Sequence, residues 1–246
     1  MKISLLCPSR ERINKTLTLL SSLILTTNRT DNIELCLGVD CDDPFLDQYK
    51  KISSNIPFIS LIISDPIHHI GLSGIWNNMY NQAEGDILAM VGDDMIFKTL
   101  NWDEIIINKF INGPDDKIQL VHCNDGMRGP GNKYVQAEPL AVNSFIHRRY
   151  TDIIGRYVQD HDNYIFQDTW LNEVFKRLNR KVYMHDVLIK HLHFSESSTN
   201  NMDKVSKKLE THREGIWNDT DLWSNTFIPL IKDEVIRLKP YMNNDS

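Results

Sequence analysis

The chain alternates short apolar runs with segments whose apolar residues recur every three or four positions. Ile3 to Cys7 is an apolar run stopped by Pro8 and reads as a strand. From about Glu11 to Thr26, Ile13, Leu17, Leu20 and Ile24 fall on one face of a helix. Ile33 to Val39 and Phe58 to Ile63 are two more strands, closed by Asp40-Cys41-Asp42-Asp43-Pro44 and by Asp65-Pro66. Gly71 to Glu84 reads as a helix with Ser73 as N-cap and Gly85 as its stop. Ile87 to Val91 is a fully apolar strand that ends at Gly92-Asp93-Asp94. Strands alternating with helices in this way predict a parallel sheet covered on both faces.

The second half is less regular. Ile118 to Cys123 reads as a strand, and the glycines and proline of Gly126 to Lys133 require a loop. Thr169 to Leu178 is a helix with Trp170, Leu171, Val174, Phe175 and Leu178 on one face. Lys181 to Ile189 is a strand followed by His191-Leu192-His193. Two further helices, about Asp203 to Gly215 and Asn225 to Leu238, make a tail. No repeat or linker interrupts the pattern. The expectation is one α/β domain over 1–246, with its core over 2–194 and a helical C-terminal appendage over 195–246.

Composition narrows the classes. With 41% hydrophobic and 24% charged residues the chain has an ordinary globular balance, and mean hydropathy is −0.36. No run approaches the roughly 18–20 apolar residues of a membrane span. Disordered, collagen-like and polytopic membrane chains are excluded, and no membrane anchor is expected. The 28 Ile and 22 Asn against 4 Ala suit an AT-rich coding sequence, so Ile is a weak strand signal here and Asn a weak turn signal. Lys+Arg 27 against Asp+Glu 33 gives a net charge of −6, which argues against generic nucleic-acid binding. Arg148-Arg149 and the cluster Lys204, Lys207, Lys208, Arg213 read as solvated surface. Cys7, Cys36, Cys41 and Cys123 form no CxxC pair and fit a reducing compartment. The apolar start is too short for a signal-peptide core, so the expected location is cytoplasmic. The sequons at Asn14, Asn28 and Asn218 are then chance matches.

The chemistry lies at strand ends. In an open α/β sheet, ligands bind beyond the carboxyl ends of the strands. Four apolar runs end there in Pro8-Ser9-Arg10, Asp40-Cys41-Asp42-Asp43, Asp65 and Asp93-Asp94. Turns favour aspartate in any case. Asp93-Asp94 stands apart, because two adjacent carboxylates between apolar flanks repel. A hard divalent cation, magnesium or manganese, relieves that repulsion and bridges to a diphosphate.

The order of these features resembles the family 2 glycosyltransferases, which have the GT-A nucleotide-sugar fold. The resemblance covers residues 2 to 194. It rests on Leu6-Cys7-Pro8-Ser9-Arg10, Gly38-Val39-Asp40, the Gly71-to-Gly85 helix and Gly92-Asp93-Asp94, which looks like the DXD motif. Phe166-Gln167-Asp168-Thr169-Trp170-Leu171 and His191-Leu192-His193 complete it. The resemblance implies a mostly parallel, Rossmann-like sheet flanked by helices. It implies a nucleotide-sugar donor, most simply a UDP-sugar, with Mn2+ or Mg2+, and a hydroxyl acceptor. Asp40 resembles the carboxylate that bonds the donor's base, and Pro8, Ser9 and Arg10 the loop along the nucleotide. Asp94 matches the DXD position that holds the metal, and Asp93 the middle position. Gly92 stands where an Asp often does, so Asp93 or Asp65 would take the ribose contact. Trp76 lies on the helix that reaches towards the donor sugar, and is equally readable as core. Asp168 resembles the general base of inverting members; its position also suits a helix cap. His191 or His193 would supply a further metal ligand, with His191 favoured.

Gly126 to Lys133 is not a P-loop, because Asn132 stands where the lysine should be; a lid is the better reading. A sugar nucleotidyltransferase would show a glycine-rich loop after the first strand, where Pro8-Ser9-Arg10 stands instead. A non-catalytic binding module would lack Asp94 or Asp168. A DNA acceptor, as in phage enzymes that glycosylate modified bases, is the remaining alternative; the AT-rich composition suggests it, and the net charge opposes it.

Overall fold

The computed structural model describes residues 1–126, 139–159, 167–192, 207 and 223–243. Eight strands run β1 (Ile3–Ser9), β2 (Ile33–Asp40), β3 (Ile59–Ser64), β4 (Ile87–Met90), β5 (Met95–Phe97), β6 (Leu120–Asn124), β7 (Ser144–His147) and β8 (Lys181–His191). They form one sheet in the order β3-β2-β1-β4-β7-β6-β8-β5. β1 lies parallel to β2 and β4, β2 parallel to β3, and β6 parallel to β8. β7 runs antiparallel to both β4 and β6, and β5 antiparallel to β8. The parallel block β3-β2-β1-β4 is the one the apolar runs predict.

Seven helices among the described residues cover the sheet: α1 (Ile13–Thr26), α2 (Leu46–Asn55), α3 (Ile67–Gln82), α4 (Trp102–Ile111), α5 (Arg148–Ile154), α6 (Gln167–Arg177) and α7 (Ile228–Leu238). Alternation along β1 sorts them. Ile3, Leu5 and Cys7 point into a core with Leu19, Leu20 and Leu23 of α1, Tyr49 of α2 and Trp102, Ile106 and Phe110 of α4. Leu6 points the other way, into a core with Ile75, Trp76 and Met79 of α3, Tyr150 of α5, Trp170 and Phe175 of α6 and Ile231 of α7. The tail helix α7 is therefore part of the second core. Cys7, Cys36 and Cys123 are buried and Cys41 is exposed.

Three details differ from the sequence expectation. The buried face of α1 is Ile13, Thr16, Leu19, Leu20, Ser22, Leu23 and Thr26, whereas Leu17 and Ile24 are exposed. The helix is apolar nearly all round, and the buried hydroxyls of Thr16, Ser22 and Thr26 bond back to Arg12, Leu19 and Ser22 carbonyls, so that face tolerates them. α3 begins at Ile67, with a break at Gly71 (φ 67°) that only glycine adopts without strain. The segment after Gly71 is the helix expected to begin there, and Ser73 lies in its first turn, where it accepts a hydrogen bond from Gln167 Nε2 at 3.1 Å. α2, α4, α5, β5 and β7 were not anticipated; β5 and β7 are three and four residues long, too short to show a period. Of the expected lid Gly126–Lys133 only Gly126 is described, and of the expected helix 203–215 only Lys207. No described helix is long and apolar enough to cross a membrane.

Gly85 closes the opposite end of the sheet. A Cβ there would stand 2.7 Å from Ser4 N and 2.8 Å from Lys2 O. The close approach lets Gly85 N donate to Ser4 Oγ at 2.7 Å. Glu34 sits beneath it, accepting from Ser4 Oγ and from Glu84 N and pairing with Lys2 Nζ at 3.1 Å.

Candidate functional site

The carboxyl ends of β1, β2, β3 and β4 lie along one edge, as parallel strands require. Ser9 ends β1, Asp40 ends β2, Asp65 follows β3, and Asp93-Asp94 follows β4. β5 then carries the chain into an antiparallel pairing with β8 that sets Met95 opposite His191. Leu192 N donates to the Asp94 carbonyl at 2.8 Å. This register brings the Asp94 side chain and the His191 ring together, with Oδ1 3.3 Å from Nε2.

Around this pair the charges are ordered. Arg12, the residue before α1, sets Nη1 3.1 Å from Asp93 Oδ1 and 3.8 Å from Asp94 Oδ2. Lys15 Nζ lies 3.9 Å from the same Asp94 oxygen. Asp93 turns inward and accepts from Ser9 Oγ at 2.8 Å. Ser9 Oγ in turn meets Thr16 Oγ1 and Tyr49 Oη, each at 3.0 Å. Burial raises the Asp93 carboxyl above the ordinary range, opposed by Arg12 and reinforced by Asp94. Burial acts on Asp94 in the same sense, but the His191 hydrogen bond, Arg12 and Lys15 outweigh it and hold Asp94 low. Burial pulls His191 down, yet Asp94, then Asp125 and Asp168, raise it.

The other expected residues divide. Arg10 pairs with both Asp40 and Asp42, so the β1 loop and the β2 end are tied together. β1 continues through Pro8, which pairs with Gly38, to Ser9, so Pro8 does not stop the strand as expected; Glu11 holds φ 55° and donates its N–H to Asp43 Oδ2 at 2.7 Å, which anchors the turn from Arg10 to Arg12. Asp65 is exposed. Asp168 stands in the first turn of α6 and accepts from Thr169 N at 2.7 Å. Trp76 is 4% exposed and packs against Tyr157, within the second core. His193 lies outside the described residues. Arg12, Lys15 and Asp125 are additions. The first two sit three residues apart at a helix start, and that spacing was their one sequence signal.

A divalent ion can be tested against this geometry. Two ligand atoms at about 2.1 Å from one ion, at right angles, are about 3 Å apart, close to the Asp94–His191 separation of 3.3 Å. A carboxylate oxygen suits manganese or magnesium, and the imidazole favours manganese over the harder magnesium. Among the described residues no group of three or more His, Cys, Asp or Glu side chains gathers as a cage, so such an ion would have positions left for phosphate oxygens. The Asp94–His191 pair fits.

No family model matches the sequence, and no curated protein matches it. The backbone does match solved structures. Residues 1–349 of S. aureus TarS in complex with UDP superpose with a TM-score of 0.61 at 13% identity, over 92% of this chain and 75% of that one. The mannosyltransferase PcManGT from Pyrobaculum calidifontis, in complex with GDP-Man and Mn2+, gives 0.60 at 13% identity over 99% and 76%. Glucosyl-3-phosphoglycerate synthase from Mycobacterium tuberculosis, with Mn2+, UDP and glucosyl-3-phosphoglycerate, gives 0.55 at 13% identity over 87% and 79%. The fold is GT-A. At this identity the likeness is one of backbone, and what each neighbour binds is its own property. The GT-A frame accounts for the convergence of β1, β2 and β4 on one edge, where the carboxylates of this chain stand.

Proposed function

We propose that this chain is a metal-dependent glycosyltransferase that moves a sugar from a nucleotide-sugar, preferentially a UDP-sugar, to an acceptor hydroxyl. The observation that carries the reading is the Asp94–His191 contact at 3.3 Å across the β5–β8 pairing. The neighbours that carry UDP, or GDP-Man with Mn2+, support a nucleotide-sugar donor on this backbone.

A divalent cation held by Asp94 and His191 would neutralise the diphosphate as it leaves. The protein's own groups do the rest. The end of β1 at Pro8 and Ser9, with Arg10 after it, lies along the nucleotide, and Asp40 at the end of β2 accepts from the base. Asp93 holds Arg12 and Ser9 in place behind Asp94. Asp65, exposed after β3, serves the ribose, since Asp93 is turned inward. Asp168 accepts the proton of the acceptor hydroxyl as its oxygen attacks the anomeric carbon from the face opposite the leaving group, which gives inversion.

The test is calorimetry and turnover with Mn2+ and UDP-sugars. Asp94→Asn is expected to abolish Mn2+-dependent UDP binding. Asp168→Asn is expected to bind UDP like the parent and to lose transfer by about a hundredfold or more. Transfer by Asp168→Asn at the parent rate removes the base assignment. Release of pyrophosphate from UTP and a sugar phosphate overturns the reading in favour of nucleotidyl transfer. Residues 204 to 213, on which a DNA contact would rest, lie outside the described residues apart from Lys207, and nothing described favours that acceptor.

A further inference from the structure

α3 carries two polar residues on a stripe that packs against protein. Ser73 is fully buried and Asn77 partly buried, and asparagine is a poor helix former whose amide competes for backbone groups. The two stand four residues apart, one turn along the helix, so they share a face. That face meets the chain where it leaves α5 and again where it enters α6. Asn77 Oδ1 accepts from Tyr157 N at 3.0 Å and Val158 N at 3.1 Å, and its Nδ2 donates to the Val158 carbonyl at 3.0 Å. Tyr157 and Val158 are buried outside any helix or strand, so their backbone groups need such a partner. Ser73 Oγ accepts from Gln167 Nε2 at 3.1 Å. Gln167 is buried and opens α6, and Asp168 is the next residue.

The first turn of a helix lacks part of its ladder and frays readily. A carboxylate there is placed only as well as the turn is held. The contacts of Asp168 with Thr169 N and Oγ1 are local to the turn and cannot fix it to the sheet. Gln167 reaches outside the turn. Successive helical residues project about 100° apart, so turning Gln167 into α3 sets the direction in which Asp168 leaves the turn. α3 is itself fixed to the donor side. A Cβ at Gly38, two residues before Asp40, would stand 2.7 Å from Met79 Sδ. Asn78 Nδ2 donates to Ser64 Oγ, at the end of β3, at 2.6 Å. One helix thus joins the strand ends that carry Asp40 and Asp65 to the turn that carries Asp168.

We propose that Ser73, through Gln167, is a positioning residue for Asp168, holding the base at a fixed distance from the donor edge. Asn77 anchors the preceding stretch to the same face. The proposal rests on the reading of Asp168 as general base.

The experiment measures release of UDP from UDP-glucose and UDP-GlcNAc to water with saturating Mn2+, and UDP affinity by calorimetry. The proteins are the parent, Ser73→Ala, Gln167→Met, Asp168→Asn, and each of the first two variants combined with Asp168→Asn. Ser73→Ala and Gln167→Met are expected to lower kcat about tenfold or more, with donor KM and UDP affinity within about twofold of the parent. In the Asp168→Asn background the same changes are expected to alter kcat by less than about twofold, because their effect runs through a carboxylate already gone. Gln167→Met carries the test alone should Ser73→Ala not fold. A merely structural role lowers kcat by the same factor in both backgrounds, or weakens UDP binding as well, and either result overturns the positioning role. A parent-like kcat in Ser73→Ala or Gln167→Met overturns it alone. A parent-like kcat in Asp168→Asn overturns the base assignment, and the positioning role with it. No UDP release by the parent overturns the donor reading itself.

Discussion

Gly92 precedes the carboxylate pair, and its hydrogen is all that the space beside Asp94 admits. A Cβ there would lie 2.7 Å from Asp94 Oδ1, the oxygen that faces His191. Gly92→Ala is therefore expected to turn the carboxylate off the imidazole and weaken Mn2+ binding about tenfold or more, with little change in unfolding temperature; calorimetry and a thermal melt check both halves. At the other end of the sheet Glu34 makes a different prediction. Burial pushes its carboxyl up, but the hydrogen bonds from Ser4 and Glu84 and the Lys2 ion pair outweigh burial and leave it below the usual glutamate range. A carboxyl depressed in the folded state stabilises above its unfolded value and loses that contribution as the pH falls through the folded one. Stability measured by urea unfolding should fall on acidification below about pH 4.5, and Glu34→Gln should flatten that fall.

At the scale of elements, α7 is held by one buried carboxylate. Glu234 is 1% exposed and accepts from Tyr150 Oη at 2.8 Å, Trp170 Nε1 at 2.9 Å and Arg156 Nη2 at 3.0 Å. α5 and α6 are thereby pinned to α7 by one side chain. Glu234→Ala leaves three donors without their acceptor and should cost about 3 kcal/mol or more in urea unfolding. This scale also shows what the sequence could tell. β1 to β4 were legible because strands buried on both faces are continuous apolar runs. The face of α6 was legible because its charged residues are confined to one side. The face of α1 was not, since apolar residues surround it and buried threonines occupy core positions. Strand-end aspartates marked the site as polar punctuation. Arg12 and Lys15 escaped notice because a charge at a helix start reads as solvated surface until the β5–β8 register places Asp94 beside it.

At the scale of the molecule, the two cores divide the work. One fixes α1, and with it Arg12 and Lys15, against β1; the other fixes α6, and with it Asp168. Ligands that join these parts should stabilise the whole chain by mass action. UDP and Mn2+ together, each at about a hundred times its Kd, should raise the unfolding temperature by roughly 10 to 20 °C. Mn2+ should contribute little of this when Asp94 is replaced by Asn.

The β5–β8 pairing also has a history within each molecule. Asp94 leaves the ribosome about a hundred residues before His191, at synthesis rates of about 5–20 residues per second. For those seconds Asp94 has no His191 with which to pair. The Asp94–His191 contact is thus completed only when the last strand of the sheet has been translated and has paired with β5.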